Sequence, residues 1–228
     1  MFELPNTQVT GGEGVDVYGI DTGVYTNHSC FGGRARWGAT YGGYADADGN
    51  GHGTHTAGTA VGEKYGQAPG ANIIAVKGMM PRNNRLTSVL TQALAVLSDY
   101  GFGAWSDIIS GVGYAVAGMQ ASSRPSISTM SIGGSQFTPV DTAIRNGIAQ
   151  GMHYTIAAGN SNVDAATTSP AGVAEAVTVG AVDYNNTKAW FSNYGPIVDV
   201  QAPGVDVLSA WIGSPNATNI ISGTSMAT

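Results

Sequence analysis

Cysteine is nearly absent from this chain of 228 residues, which contains a single one, Cys30. One cysteine allows no disulfide within the chain, and the Cys and Cys/His spacings typical of zinc sites do not occur. We therefore expect Cys30 to be a buried thiol. No apolar run approaches the roughly 20 residues that a membrane-spanning helix needs, so we expect no membrane partner. Residues 1–10 lack the charged and apolar blocks of a signal peptide, and we expect any export signal to be missing from this chain.

Charged residues are also scarce, at 11% of the chain, and the net charge is -6. Because no cluster of Lys or Arg is present to neutralise phosphates, nucleic acid is not expected as a partner. Apolar residues make up 43% of the chain, which suits one well-buried domain of this length. Three N-x-S/T sequons, at Asn27, Asn185 and Asn216, would suit a secreted protein.

Short β-rich runs alternate with helical patterns along most of the chain. This alternation predicts an α/β domain with a mostly parallel sheet and helices on both faces. Helical periodicity covers 107–119, and a proline after Thr138 opens a second helix that ends near Gly151. The predicted strands are 15–21, 71–77, 127–132, 152–158, 176–182 and 197–200.

Three side chains that could form a nucleophilic site occur in the order Asp21, His52 and Ser225. Asp21 ends a predicted strand, and sites in open α/β sheets gather at the carboxyl ends of strands. His52 stands between two glycines, and Ser225 lies among small residues. Each has another interpretation when taken alone: Asp21 could cap a turn, and His52 could form a metal pair with His55.

Four motifs in a fixed order make the resemblance to a known family specific. They are IDTG ending at Gly23, GHGTHTAGT around His52, AAGN ending at Asn160 and SGTSMAT around Ser225. In this order they resemble the subtilisin-like serine proteases, and SIGG and FSNYG are similar to the proteinase K branch, including secreted fungal alkaline proteases. The matches run from about Gly14 to the end of the chain.

The resemblance implies a subtilisin-like three-layer fold and serine endopeptidase activity. A serine hydroxyl needs a base within hydrogen-bond reach, and that base needs a partner that fixes its tautomer. The resemblance gives these roles to Ser225, His52 and Asp21. It also assigns the side-chain amide of Asn160 and the backbone N–H of Ser225 to the oxyanion of the reaction. A turn residue that ends a strand is the other interpretation of Asn160.

Substrate binding is implied by position within the same family. An extended peptide would pair with backbone on two sides, and small residues would line the pocket for the side chain before the scissile bond. No charge occurs in that pocket, which predicts broad specificity with a preference for apolar or aromatic residues. The glycines among these residues could instead merely end strands. The two backbone segments are Gly101, Phe102 and Gly103, and Ser131, Ile132 and Gly133; the pocket residues are Ala157, Ala158 and Gly159.

The resemblance implies no cofactor for catalysis, but it does imply a structural calcium ion. Asp199 matches a calcium-ligating aspartate of the proteinase K branch, while Ala174 stands where that branch has a proline. The other ligands would be backbone carbonyls, and Asp199 could instead be an ordinary surface acid. The expected partners are protein or peptide substrates and a propeptide, which we expect to be missing from this chain. The expected protein is monomeric and extracellular.

One segment departs from the family pattern. Strand 71–77 should run almost directly into a VLSDYG-like turn, yet residues 78–95 intervene. We expect either an insertion that derives from a retained intron translated in frame, or a surface helix. The helical alternative is supported by periodic apolar residues from Leu86 to Leu97.

The end of the chain is a second departure. In the family the nucleophile begins a long central helix, and further helices follow, whereas here three residues follow Ser225. We therefore expect a single but incomplete peptidase domain over 1–228 that lacks the C-terminal helices. Two functions stay open at this point: a serine endopeptidase, or an inactive fragment or pseudo-protease that binds peptides without cleaving them.

Overall fold

The computed structural model describes residues 11–78, 94–97 and 101–228, and for 94–97, Gly101 and Phe102 it describes the backbone alone. The four described α-helices are α1 (His52–Val61), α2 (Trp105–Ser122), α3 (Thr138–Ala149) and α4 (Thr224–Ala227). Short 3₁₀ turns occur at Ser29–Phe31 and Ala165–Thr167. The strands are β1 (Asp16–Asp21), β2 (Ala35–Thr40), β3 (Asn72–Lys77), β4 (Leu94–Leu97), β5 (Gly101–Ala104), β6 (Ser126–Met130), β7 (Gly134–Ser135), β8 (His153–Ala157), β9 (Thr168–Ser169), β10 (Val177–Val182), β11 (Val200–Pro203), β12 (Val207–Ala210) and β13 (Thr218–Ile221).

Seven strands form one central sheet in the order β11-β10-β8-β6-β1-β3-β2. All neighbouring strands in it are parallel. Three smaller antiparallel pairs, β4-β5, β7-β9 and β12-β13, lie outside the central sheet. Because parallel strands end at the same edge, the segments that follow β1, β6 and β8 lie side by side.

The sheet has a hydrophobic core on each face. Successive side chains of a strand point to opposite faces, and in β1 Tyr18 and Ile20 join the core under α2 and α3, while Val17 joins the core under α1. Strand β3 divides in the same way, with Ile74 and Val76 on one face and Ile73 and Ala75 on the other. The predicted three-layer α/β architecture is confirmed.

Most predicted elements are found within a few residues of their expected bounds. Predicted strand 197–200 is displaced, since β11 runs from Val200 to Pro203. Strand β2 and the β12-β13 hairpin were not predicted. Strand β2 contains Arg36 and Gly38 and is mostly half-buried, while β12 and β13 have only four residues each, and those of β13 alternate between exposed and half-buried positions. Residues 79–93 of the predicted insertion lie outside the described residues, and the helix alternative is wrong for Leu94–Leu97, which form a strand.

Cys30 is buried, as expected, at 7% exposure. Burial raises the pKa of its thiol to about 12, so it is a packing residue rather than a reactive one. Among the described residues, none of the helices has the length and apolar composition needed to cross a membrane.

Two glycines of α2 provide a test of this packing. A Cβ on Gly118 would clash with the hydroxyl oxygen of Tyr18, a residue that is only 1% exposed. We expect Gly118→Ala to lower the free energy of unfolding, because overpacking a core costs about 1–3 kcal/mol and outweighs the helix preference of alanine. Urea denaturation measures this change.

Gly113 is the matched control, because it is exposed on the same helix and a Cβ there would meet nothing within 4 Å. Gly113→Ala should raise the free energy of unfolding by roughly 0.5–1 kcal/mol. Equal stabilisation by the two alanines would contradict the packing of α2 on the sheet.

Candidate active site

Asp21 and His52 form a buried hydrogen-bonded pair. Asp21 is the last residue of β1 and His52 the first of α1, and they are 3% and 6% exposed. Nδ1 of His52 lies 2.7 Å and 2.9 Å from the two carboxylate oxygens of Asp21. The Thr22 N–H also donates to Asp21, at 2.6 Å. The acid therefore fixes both the orientation and the tautomer of the imidazole, as a catalytic base requires.

A glycine allows the helix to approach the strand this closely. A Cβ on Gly53 would lie 2.1 Å from the carbonyl oxygen of Gly23 and 3.1 Å from the Cβ of Asp21. Any larger residue at this position would push the first turn of α1 away from the turn after β1. The glycine after His52 is thus required by packing.

Asp48 organises the start of α1, a role that was not predicted. One of its oxygens accepts hydrogen bonds from the Thr22 hydroxyl and the Gly51 N–H, each at 2.9 Å. The other accepts from the N–H and the hydroxyl of Thr54. The Thr22 hydroxyl in turn accepts from the Gly53 N–H at 2.9 Å. This carboxylate caps the free N–H groups of the helix that carries the histidine.

The surroundings of His52 shift its titration. Burial disfavours the charged ring, but the charge and hydrogen bond of Asp21, with the charge of Asp48, outweigh it and raise the pKa of His52 above its ordinary 6.5. His55 differs, because burial lowers its pKa to about 4 and its Nε2 lies 3.0 Å from the Val207 carbonyl. The two rings have separate partners, and no metal-binding group of three acidic, His or Cys side chains occurs among the described residues.

Ser225 lies in the first turn of α4, which packs against α1. It is 4% exposed. Its hydroxyl donates to the Ser131 carbonyl at 3.5 Å, and the Ser131 hydroxyl donates to the Ser225 carbonyl at 3.0 Å. Within the described residues the hydroxyl makes no hydrogen bond to His52. Catalytic hydrogen bonds of this kind tighten in the substrate complex, so this geometry suits a resting nucleophile.

The amide of Asn160 is oriented by Thr224, a second residue whose role was not predicted. The side-chain oxygen of Asn160 accepts from the N–H of Thr224 at 2.8 Å and from its hydroxyl at 2.9 Å. Because a backbone N–H can only donate, the oxygen must face Thr224 and the NH₂ group must face away. A Cβ on Gly223 would lie 3.6 Å from that nitrogen, which places the NH₂ group beside the turn that carries Ser225.

Most of the predicted substrate-binding residues lie at or directly after the ends of β6 and β8, which meet at this edge. Ser131 contacts Ser225 directly, and the Gly159 N–H donates to the Thr224 hydroxyl at 3.1 Å. The backbone of Gly101, Phe102 and Gly103 belongs to β5, whose partner β4 contacts β7. Side chains at four predicted positions are buried in the protein, namely Ser131, Ile132, Ala157 and Ala158. Their contact with a substrate, and that of Gly133 beside them, stays a prediction.

Asp199 lies away from this edge, immediately before β11. One of its carboxylate oxygens accepts from the Thr178 N–H at 2.8 Å, and the described contacts leave the other oxygen available. A single exposed carboxylate with one available oxygen fits a calcium site only if backbone carbonyls supply most of the ligands.

An aspartate, a histidine and a serine lie at the carboxyl edge of a parallel sheet with an amide beside the serine, an arrangement that suits a site of the Asp-His-Ser type. The model of the subtilase family matches residues 12–228, and the chain belongs to that family.

Fungal relatives support the same family. The chain is 45% identical to the subtilisin-like serine protease pepC of Aspergillus niger, over 95% of this chain and 40% of the relative. It is 46% identical to subtilisin-like protease 2 of Pseudogymnoascus destructans, over 96% of this chain and 50% of the relative. The chain thus spans about 40–50% of the length of these curated relatives.

Solved structures agree with the fold. A cold-adapted subtilisin-like serine proteinase matches with a TM-score of 0.81 and 43% identity, over 95% of this chain and 72% of that one. Sphericase matches with a TM-score of 0.78 and 30% identity, over 97% of this chain and 76% of that one. The subtilisin-like α/β fold is therefore shown for this chain.

The raised pKa of His52 predicts the acidic limit of catalysis by this site. Below that pKa the ring is protonated and cannot accept the proton of Ser225, so kcat/KM should fall as the pH drops through it. Asp48→Asn removes a charge that raises this pKa, and we expect the acidic limb of the pH profile to move to lower pH. The measurement is kcat/KM for a chromogenic peptide from pH 4 to 9.

Glu175→Gln is the control for loss of a negative charge, since Glu175 is an exposed partner of Arg145. It should leave the limb in place. If the acidic limb of Asp48→Asn stayed at the same pH or moved to higher pH, the electrostatic role of Asp48 would be contradicted, provided that the variant keeps the thermal transition of a folded protein.

Proposed function

We propose that the chain is the catalytic part of a serine endopeptidase that cleaves peptide bonds through an acyl-enzyme. The observation that carries the proposal is the buried Asp21–His52 pair at the edge of the sheet where Ser225 and Asn160 also lie. The names of the fungal relatives support the same reaction class.

In the first half-reaction, Ser225 Oγ attacks the peptide carbonyl carbon while its proton passes to Nε2 of His52. Asp21 stabilises the resulting imidazolium through the hydrogen bond to Nδ1. The carbonyl oxygen becomes an oxyanion that accepts hydrogen bonds from the Asn160 amide and the Ser225 N–H. His52 then gives its proton to the leaving amine, and the C–N bond breaks. Water then attacks the acyl carbon while His52 accepts its proton, and His52 returns that proton to Ser225 Oγ as the ester bond breaks and the acid product leaves.

The proposed specificity is broad, with a preference for apolar or aromatic residues before the scissile bond. Ala157, Ala158 and Gly159 support it, because they put neither charge nor bulk beside the oxyanion donor. An extended substrate would pair with the backbone of 101–103 on one side and 131–133 on the other. Protein and peptide substrates are the partners that this arrangement suits.

We place the protein outside the cell and expect it to be a monomer whose full-length form carries a propeptide. The exposed positions of the three sequon asparagines, Asn27, Asn185 and Asn216, support passage through the secretory pathway. The test is to treat the protein secreted by a fungal host with an endoglycosidase and to measure its mass. A loss of mass would show that glycans were attached and that the protein had passed through the secretory pathway.

The triad is tested by labelling the chain with a fluorescent fluorophosphonate. The wild type should react at Ser225, and His52→Ala should slow the reaction by about 10⁴-fold or more, since removal of a triad member has effects of this size. His153→Ala is the matched control, because His153 is exposed on β8 and lies outside the site. A soluble, folded wild type that does not react would favour a peptide-binding pseudo-protease instead.

We infer no cofactor in the chemical steps, but a structural calcium ion at Asp199 belongs to the proposal. Added calcium should raise the melting temperature, because a ligand that binds only the folded state stabilises it. The shift should be lost in Asp199→Asn and kept in Asp183→Asn, a surface carboxylate that caps the turn at Asn185 and Thr187. An equal shift in both variants would exclude the site.

A further inference from the structure

The loop that carries Asn160 has an unusual backbone. Gly159 on one side has φ +103°, and Asn162 on the other has φ 52°. Both lie in the left-handed region, which residues other than glycine rarely adopt and which persists only where surrounding contacts enforce it. The direction of the Asn160 side chain therefore depends on what holds the loop.

Asn193 makes contacts on both sides of Asn160. Its side-chain NH₂ group donates to the Ala158 carbonyl at 2.7 Å. Its side-chain oxygen accepts from the N–H of Ser161 at 3.0 Å and of Val163 at 3.1 Å. One amide thus connects the residues before and after the oxyanion donor, and the direction of the backbone N–H groups fixes its own orientation.

The backbone and packing of Asn193 strengthen this connection. Its N–H donates to the Gly159 carbonyl at 2.9 Å. The side chain is only 1% exposed, and its nitrogen lies 2.4 Å from where a Cβ on Gly159 would be. A side chain at position 159 would therefore clash with Asn193, in addition to the strain of the turn. The buried amide of Asn193 has little room to adopt another orientation.

The side chain of Asn160 is held from the opposite direction by Thr224. Thr224 fixes the amide group, whereas Asn193 fixes the backbone from which that group projects. A donor aimed at an oxyanion works only if it is in place before the charge develops. The contacts from Thr224 and from Asn193 are thus both needed to aim the Asn160 amide at the oxyanion.

We infer that Asn193 is a positioning residue that acts on catalysis through Asn160, an inference that rests on the proposed serine endopeptidase function. The oxyanion exists in the transition state and not in the bound substrate, so loss of Asn193 should lower kcat and leave KM nearly unchanged. The sequence alone identifies Asn193 only as part of FSNYG.

The experiment measures kcat and KM for a chromogenic peptide in four proteins: the wild type, Asn193→Ala, Asn160→Ala and the double variant. Asn160→Ala should lose about 10²–10³ in kcat, the loss found in subtilisin itself when this donor is removed. Asn193→Ala should lose about 10-fold to 10²-fold, the scale of a misplaced catalytic group. In the Asn160→Ala background the same change should cost less than about twofold, because its target is gone.

Asn193→Ser keeps a short polar group and should recover part of the lost kcat, and it replaces Asn193→Ala if that variant does not fold. The control is Asn72→Ala, which removes a side-chain hydrogen bond to Asp16 at the opposite edge of the sheet and should leave kcat unchanged. Fluorophosphonate titration counts the folded, competent molecules in each sample.

Equal losses from Asn193→Ala with and without Asn160 would overturn the inference, as would a change confined to KM. An unreactive wild type refutes the proposed function and, with it, the basis of the inference. A reactive wild type in which Asn160→Ala has no effect refutes the role of the oxyanion donor itself.

Discussion

The hydrogen bond between His52 and Asp21 depends on a close approach of the start of α1 to the end of β1, and this approach requires a glycine at position 53. Gly53 has no room for a Cβ against Gly23 and Asp21, so the first turn of α1 lies directly on the end of β1. This contact excludes water from the carboxylate, and an unpaired buried charge would be costly. The contact therefore requires hydrogen bonds to the acids that it buries. The imidazole and the Thr22 N–H satisfy Asp21, and the N–H groups at the start of the helix satisfy Asp48.

The parallel sheet brings the remaining groups to that pair. In the order β8-β6-β1, neighbouring strands lead to the Asn160 loop, to Ser131 and to Asp21. Asp21 is more than 100 residues from both of the others along the chain, yet the three strands end side by side. Thr224 and Ser225 then connect to two of these ends, through the Asn160 amide and the Ser131 backbone. The order of the strands therefore sets the distances between Asp21, Ser131 and the Asn160 loop. Helix α4 lies outside the sheet and contacts this edge through Thr224 and Ser225.

Much of this architecture was predictable, and the exceptions have physical causes. Central strands are buried on both faces and appear in the sequence as apolar runs, whereas β2, with its polar residues and glycine, has no such signal. The motifs identified Asp21, His52, Ser225 and Asn160, since these residue types carry the chemistry. Thr224 and Asn193 act on the Asn160 loop, which is distant from both in the sequence, and no local pattern records such contacts. Asp48 instead caps the helix that follows it, through N–H groups three and six residues further on.

The hydroxyl of Ser225 is held only weakly by its hydrogen bond in this structure. At 3.5 Å from the Ser131 carbonyl, its hydroxyl is held near the limit of a hydrogen bond and gains little from that partner. The Ser131 hydroxyl binds the Ser225 backbone more closely, at 3.0 Å, so the main chain is fixed while the reactive oxygen is not. Ser131 also begins the segment along which a substrate would pair. A substrate paired along this segment would therefore meet a hydroxyl that is weakly held and a backbone that is fixed in place.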